Sequence, residues 1–477
     1  MTASVVTQDR MPTREGDLSI EGHGMDPIPE SARYGSVNRV FTVWFTPNLV
    51  PAAFFIGTLA AAEFLQVGFV TGLLAIIVGN VIGAALVGIL ATMGPATGMA
   101  QMPLSRLPFG KSIVVPGLLN WISCIGWDGI NSVFGAAALS ILTGLPFVVT
   151  LIAIVVAQGL LGIYGHEAIH TFEKYMALVL GAMFVVLTVA IAGQASTGLA
   201  RVDGQSGLSG FGAFVLFSTI AASFVLAWGL YASDYTRYLP TEASRPRIFI
   251  LTVLGLTLSA GWIEALGLLV ADRSAGGAVD TINTILSGTI FAPLAMIAIG
   301  IGTIAVNALN DYTGSLSLQA AGVRVPRVVS AIVVAILGFF FTLYLNASNL
   351  VVTFENYLLF IIYWVTPWAG VVLADWLVRG RPRRMDVRHL VDFVRLPSGF
   401  AALLALVIGF IVSLPFGTSV FGGEIANATG LPINALADEL YFADIAYFVG
   451  FIVSFGIYWV VARRAVLGGK PAEARAT

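Results

Sequence analysis

The chain has 477 residues, of which 57% are hydrophobic and 10% charged, against about 25% charged in a typical soluble domain. A net charge of −2 points to no nucleic-acid or acidic partner, and a single cysteine supports neither a disulfide framework nor a cysteine metal site. Apolar runs of about 20 residues, each enough to cross a bilayer as a helix, fill most of the sequence, which therefore reads as an all-α polytopic membrane protein.

Residues 1–35 are polar, lack the apolar core of a secretory signal, and read as a disordered cytoplasmic tail. Hydropathy then marks twelve spans, the first at 40–62. It contains TPNLVPAAFFIG (46–57), where Pro47 and Pro51 each remove a backbone donor and crowd the preceding turn, so an interrupted helix is expected. Carbonyls freed at such a break can face a cavity but not lipid. Glu63 lies at the end of this span and reads as interfacial.

After a second span at 66–93, the third (112–142) carries CIGWDGIN at 124–131. Residues four apart share a helix face, so Ser123, Trp127, Asn131 and Gly135 form one stripe and Cys124, Asp128 and Ser132 its neighbour. An indole face beside a carboxamide suits a flat heteroaromatic ligand, because Asn donates and accepts at once. The competing reading makes Asn131 interhelical glue, worth about 1 kcal/mol, and Trp127 a packing residue.

The fourth and fifth spans (146–165 and 171–194) flank HEAIH, where His166 and His170 have i,i+4 ligand spacing but no second ligand pair. That segment reads as a solvated helix start. The sixth span (211–232) runs into SFVLAWGLYASDYTRYLP (223–240), with Gly229 after Trp228 and polar residues before the helix is complete. Interruptions in spans 1 and 6 are what two inverted five-helix repeats produce, and transporters place their sites at such breaks.

Glu264 is the deepest acid of the seventh span (247–271); it is either a carrier of a coupling proton or a structural acid kept neutral by burial. The eighth span (288–320) clusters Thr303, Asn307, Asn310 and Asp311, with Asn307 sharing a face with both of the latter. Spans 3 and 8 are counterparts in a five-plus-five repeat, and carboxamides at mid-depth in both favour a central polar binding site. Spans 9 to 12 follow at 327–346, 350–376, 399–421 and 441–463, with Glu355 and Asp375 in the tenth and a basic loop at 377–398. Of the 24 Lys and Arg residues, all but Arg201 and Arg273 fall on one side of this twelve-span path, which places both termini in the cytoplasm by the positive-inside rule. The repeats then cover 36–196 and 197–376, with spans 11 and 12 at 399–463 and a second tail at 464–477.

The order WFTPNLVPAAFFIGTLA, GPATGMAQMPLSRLPFG (94–110), GWDGIN, ASDYTRYLP, VNALNDYT and FENYLLFIIYWVTPWAGVVLADW (354–376) resembles the nucleobase–cation symporter-1 family, closest to its purine–cytosine permease branch. The resemblance implies a LeuT-type fold with spans 11 and 12 outside the repeat, and symport of a nucleobase or related heterocycle with H⁺ or Na⁺. By motif match it implies that Trp127 and Trp228 sandwich the ring, that Asn131 contacts its edge, and that Asn307 and Asn310 contribute from span 8. Sodium-coupled relatives carry two hydroxyl residues just before the first asparagine of span 8. Here those positions are Ala305 and Val306, which offer a hard cation no oxygen.

The sequence is thus expected to encode a plasma (inner) membrane importer of cytosine and/or purine bases. H⁺ is favoured over Na⁺, Glu264 and Asp128 are the proton-coupling candidates, and neither cofactor nor obligate protein partner is evident. An enzymatic reading would need a catalytic constellation, and no span contains a His.

Overall fold

The computed structural model describes residues 24–164, 166–194, 207–273, 277–323 and 325–467. Everything regular among them is helical. The first half comprises α1 (Arg39–Phe45), α2 (Pro51–Thr58), α3 (Phe69–Ala91), α4 (Val114–Thr143), α5 (Phe147–Tyr164) and α6 (His166–Gln194). The second half comprises α7 (Gly207–Leu226), α8 (Ala232–Thr236), α9 (Arg245–Leu269), α10 (Ala278–Leu286), α11 (Phe291–Ala320), α12 (Arg327–Ala347) and α13 (Leu350–Val378). Then follow α14 (Phe400–Ser413), α15 (Val420–Thr429) and α16 (Ala446–Leu467).

Among the described residues nine helices are long and apolar enough to cross a membrane, or eleven when each of two sharply bent pairs counts as one span. α5 is apolar but shorter. Large apolar side chains such as Val70, Leu178, Val189 and Ile452 stand exposed on the outer faces, where lipid rather than water suits them. The chain is a multi-pass membrane protein.

Both expected interruptions are present. The segments Arg39–Asn48 and Pro51–Ala61 meet at 63°. Pro47 sits in a 3-10 turn, Val50 is extended (φ −134°, ψ 151°), and Pro51 opens α2 at the position where its missing N–H costs nothing. α7 passes into a 3-10 turn over Ala227–Tyr231 before α8 resumes. Gly57 lets α2 lie directly on α9: a Cβ there would meet the Glu264 carbonyl oxygen at 1.9 Å.

α4 and α11, the third helix of each expected repeat, form the most extensive pair, and α3 packs on both α7 and α9. The α4–α11 pair is antiparallel. Asn120 Nδ2 donates to Ser317 Oγ (2.7 Å), Gly314 faces the Cys124 Cβ, Asn307 Nδ2 donates to the Asp128 carbonyl (3.1 Å), and Thr303 Oγ1 donates to that of Asn131 (3.4 Å). Side-chain chemistry on one helix is therefore read directly by the other.

Of the predicted tail, residues 1–23 lie outside the described residues, but 24–35 are folded against the 94–110 segment. The Ile28 N–H donates to the Gly98 carbonyl (2.8 Å) and Arg33 Nη1 to that of Pro95 (2.6 Å). Arg106, buried in the same segment, gives its guanidinium to the carbonyls of Gln319, Ala320, Leu390 and Val391, closing the end of α11 against the basic loop. The basic loop is itself partly neutralised: Arg384 pairs with Glu30 (2.7 Å) and Arg395 with Asp392 (3.0 Å). The expected eleventh span differs in shape. Instead of one helix over 399–421, the chain turns by 94° around Pro415 and Gly417 and continues as α15.

Candidate functional site

The breaks in α1–α2 and α7–α8 face the α4–α11 pair across a cavity of about 390 Å³, counted to its mouth. Pro47 and Val50 line it from the first break, Ala227, Trp228 and Tyr231 from the second, and Phe224 from α7. α4 contributes Trp127 and Asn131, and α11 contributes Val306 and Asn310. That size and an apolar wall with few polar groups suit a small ring system.

Trp127 is held from three sides. The ring of Tyr357 stands edge-on at 5.3 Å and 87°, that of Phe224 at 5.7 Å and 72°, and that of Phe354 at 6.4 Å. Trp228 is fixed by its polar edge: Nε1 donates to Asn48 Oδ1 (2.9 Å), while Asn48 Nδ2 donates to the Trp44 carbonyl (2.8 Å) and Ser259 Oγ (3.1 Å). The break in α1–α2 thus supplies the bracket that orients an indole on the other break.

The two carboxamides in the cavity differ. Asn131 is buried, and its side chain makes no hydrogen bond to the described residues, so donor and acceptor are both free for a ligand edge. Asn310 Oδ1 accepts from the Tyr231 hydroxyl (3.4 Å), which also meets Cys124 Sγ at 3.4 Å, and Asn310 Nδ2 has no acceptor. Such pre-set, unpaired amides are costly unless something pairs with them.

Three of the expected residues lie elsewhere. Asn307 is turned behind the α4 wall, its Nδ2 donating to Ser132 Oγ (2.9 Å), Gln158 Oε1 (2.9 Å) and the Asp128 carbonyl. Asp128 belongs to the same buried cluster, with Oδ1 accepting from Gln158 Nε2 at 2.7 Å. Glu264 sits on a different contact, between α3 and α9, where Oε2 accepts from Asn80 Nδ2 at 2.5 Å. Participants absent from the sequence-based expectations include Asn48, Gln158, Phe224 and Tyr231. A signal for Tyr231 does exist, since residues three apart eclipse in a 3-10 turn and it lies three after Trp228.

Residues 27–450 match the family model described as "Permease for cytosine/purines, uracil, thiamine, allantoin". The chain belongs to the cytosine/purine permease family. Its relatives include the purine-cytosine permease fcyB of Emericella nidulans, 26% identical over 461 residues and covering 88% of each chain. The purine-cytosine permease FCY21 of Saccharomyces cerevisiae is 28% identical, over 92% of this chain and 86% of that one. Among solved structures, the nucleobase-cation-symport-1 transporter Mhp1, closed with bromovinylhydantoin bound, superposes with a TM-score of 0.74. It is 17% identical, over 95% of this chain and 97% of that one, and so shows the shared fold. This permease is accordingly a secondary transporter of a small nucleobase-like molecule, working by cation symport and alternating access.

Proposed function

We propose that this permease imports cytosine and/or purine nucleobases in symport with a proton. The observation that carries this reading is the pairing of two oriented indoles, Trp127 and Trp228, with the unpaired carboxamide of Asn131 in one cavity. A base enters between the rings, its edge is read by Asn131 and Asn310, and Asn307 braces the α4 wall from behind. Stacking gives affinity for any flat ring, while the amides reject rings whose edge leaves them unpaired. The names of the fungal relatives, purine-cytosine permeases, support the substrate class.

Proton coupling is favoured by the same side chains that disfavour sodium. Ala305 and Val306 carry no oxygen, and the Thr303 hydroxyl is engaged with the Asn131 carbonyl. We further propose twelve spans, counting α5, in two inverted five-helix repeats (36–196 and 197–376), with α14 to α16 outside them. In this topology the termini and the 377–398 loop are cytoplasmic and the protein sits in the plasma (inner) membrane.

The alternative is Na⁺-coupled symport of a related heterocycle such as allantoin, a hydantoin or a thiamine-precursor pyrimidine. A relative in Saccharomyces cerevisiae, 24% identical over 62% of this chain, is named a vitamin B6 transporter, which supports only a ring other than a nucleobase. Competition separates the two. Unlabelled cytosine, adenine and hypoxanthine are expected to suppress uptake of labelled cytosine, with allantoin and hydantoins ineffective at equal concentration; the reverse order would reject the nucleobase reading.

A further inference from the structure

Behind the α4 wall of the cavity lies a second polar site. Asp311 follows Asn310 on α11, and the antiparallel register sets it between the rungs where Gly314 faces Cys124 and Asn307 meets Asp128. Asp311 is fully buried, and neither of its carboxyl oxygens has a hydrogen-bond donor. Asp128 Oδ2 and Asn307 Oδ1 are buried without a donor as well. Four buried acceptor oxygens on this stretch of the α4–α11 contact thus have no donor.

No counter-ion is within the surrounding helices. α4, α5 and α11 contain no Lys, Arg or His, and α12 has only Arg327, at its first position. Titratable groups next to the site are Cys124 on α4, Tyr231 on the 3-10 turn, which meets Cys124, and Tyr357 on α13, which donates to the Ser123 carbonyl; α11 itself also carries Tyr312, and α12 Tyr344. α5 and α12 present Gln158 and Thr342. Gly338 of α12 is shaped to this site: a Cβ there would meet Asp128 Oδ2 at 1.9 Å. A buried pair of carboxyls without a cation is stable only when a positive charge joins it.

We propose that Asp128 and Asp311 together are the seat of the coupling proton, an inference that rests on the proton-symport reading above. On the loading side a hydronium ion from bulk water loses a proton, its O–H bond breaking as one forms on a carboxyl oxygen of the pair; on the release side that bond breaks and the proton passes to water. Trp127 and Asn131 flank Asp128 in sequence, and Asn310 adjoins Asp311, so a base that moves either helix moves a carboxyl. Glu264, on the α3–α9 contact, lies on neither α4 nor α11.

The test uses the full chain in proteoliposomes, with whichever of cytosine, adenine, hypoxanthine, uracil, allantoin or hydantoin the wild type takes up best. Two readouts are compared: substrate counterflow, which needs no driving ion, and accumulation driven by an imposed inward proton gradient. Asp311→Asn, nearly isosteric and unable to titrate, is expected to keep counterflow, lose its pH dependence, and drop gradient-driven accumulation to the level without a gradient. Wild-type accumulation in Asp311→Asn overturns the proposal while leaving proton symport intact. A wild type driven by Na⁺ and not by protons overturns the symport reading, and the proton seat with it. Should Asp311→Asn lose counterflow too, Asp311→Glu, which keeps a carboxyl, is expected to restore proton-driven uptake; a stable Glu variant with wild-type counterflow and no proton drive overturns the assignment.

Discussion

Asn131→Ala is expected to abolish uptake of the preferred base while the protein still reaches the membrane. The Asn131 side chain makes no hydrogen bond to the described residues, so its removal breaks no hydrogen bond of the fold. The ligand loses a donor and an acceptor at once, each desolvated polar atom left unpaired costing about 1–3 kcal/mol. Two such atoms weaken binding by roughly thirtyfold or more. Radiolabelled uptake, read beside surface or membrane abundance, checks this. Wild-type uptake in the variant would remove Asn131 from the site.

Trp127→Ala is expected to weaken every accepted base alike. Base–aromatic stacking contributes about 1–3 kcal/mol, which corresponds to roughly 5- to 150-fold in affinity. The indole also packs against Tyr357 and Phe224, so alanine carries a stability cost of about 3–5 kcal/mol. Trp127→Phe separates the two effects: it keeps a ring for packing and part of the stacking area. Binding by calorimetry and thermal unfolding, measured on both variants, are expected to rank affinity as wild type, Phe, Ala, with selectivity among bases unchanged. Altered selectivity instead would make Trp127 an edge reader.

The sequence carries the architecture wherever backbone chemistry is categorical. Pro47 and Pro51 cannot continue a helix, and Gly229 beside Trp228 weakens one, so both breaks are legible in the residue types alone. Choosing between neighbouring amides is beyond its reach. Asn307 and Asn310 are three apart on α11 and differ by only part of a turn, and which one meets the cavity depends on how α11 is rotated against α4. Periodicity gives a face, while the partner helix fixes its azimuth. Gln158 leaves no mark in the sequence because one amide in an apolar span makes no pattern, although its role depends entirely on Asp128 and Asn307 across the helix contact. The bend between α14 and α15 is signalled by LPFG at 414–417, but α15 itself is a short, mixed helix without the apolar length that hydropathy detects.

The central claim is proton-driven symport of a nucleobase, and its most direct measurement is accumulation of labelled cytosine and adenine by proteoliposomes under imposed gradients. An inward proton gradient is expected to drive accumulation above equilibrium, collapsed by a protonophore and unaffected by replacing Na⁺ with K⁺ or choline. Accumulation that requires Na⁺ and survives the protonophore would contradict it.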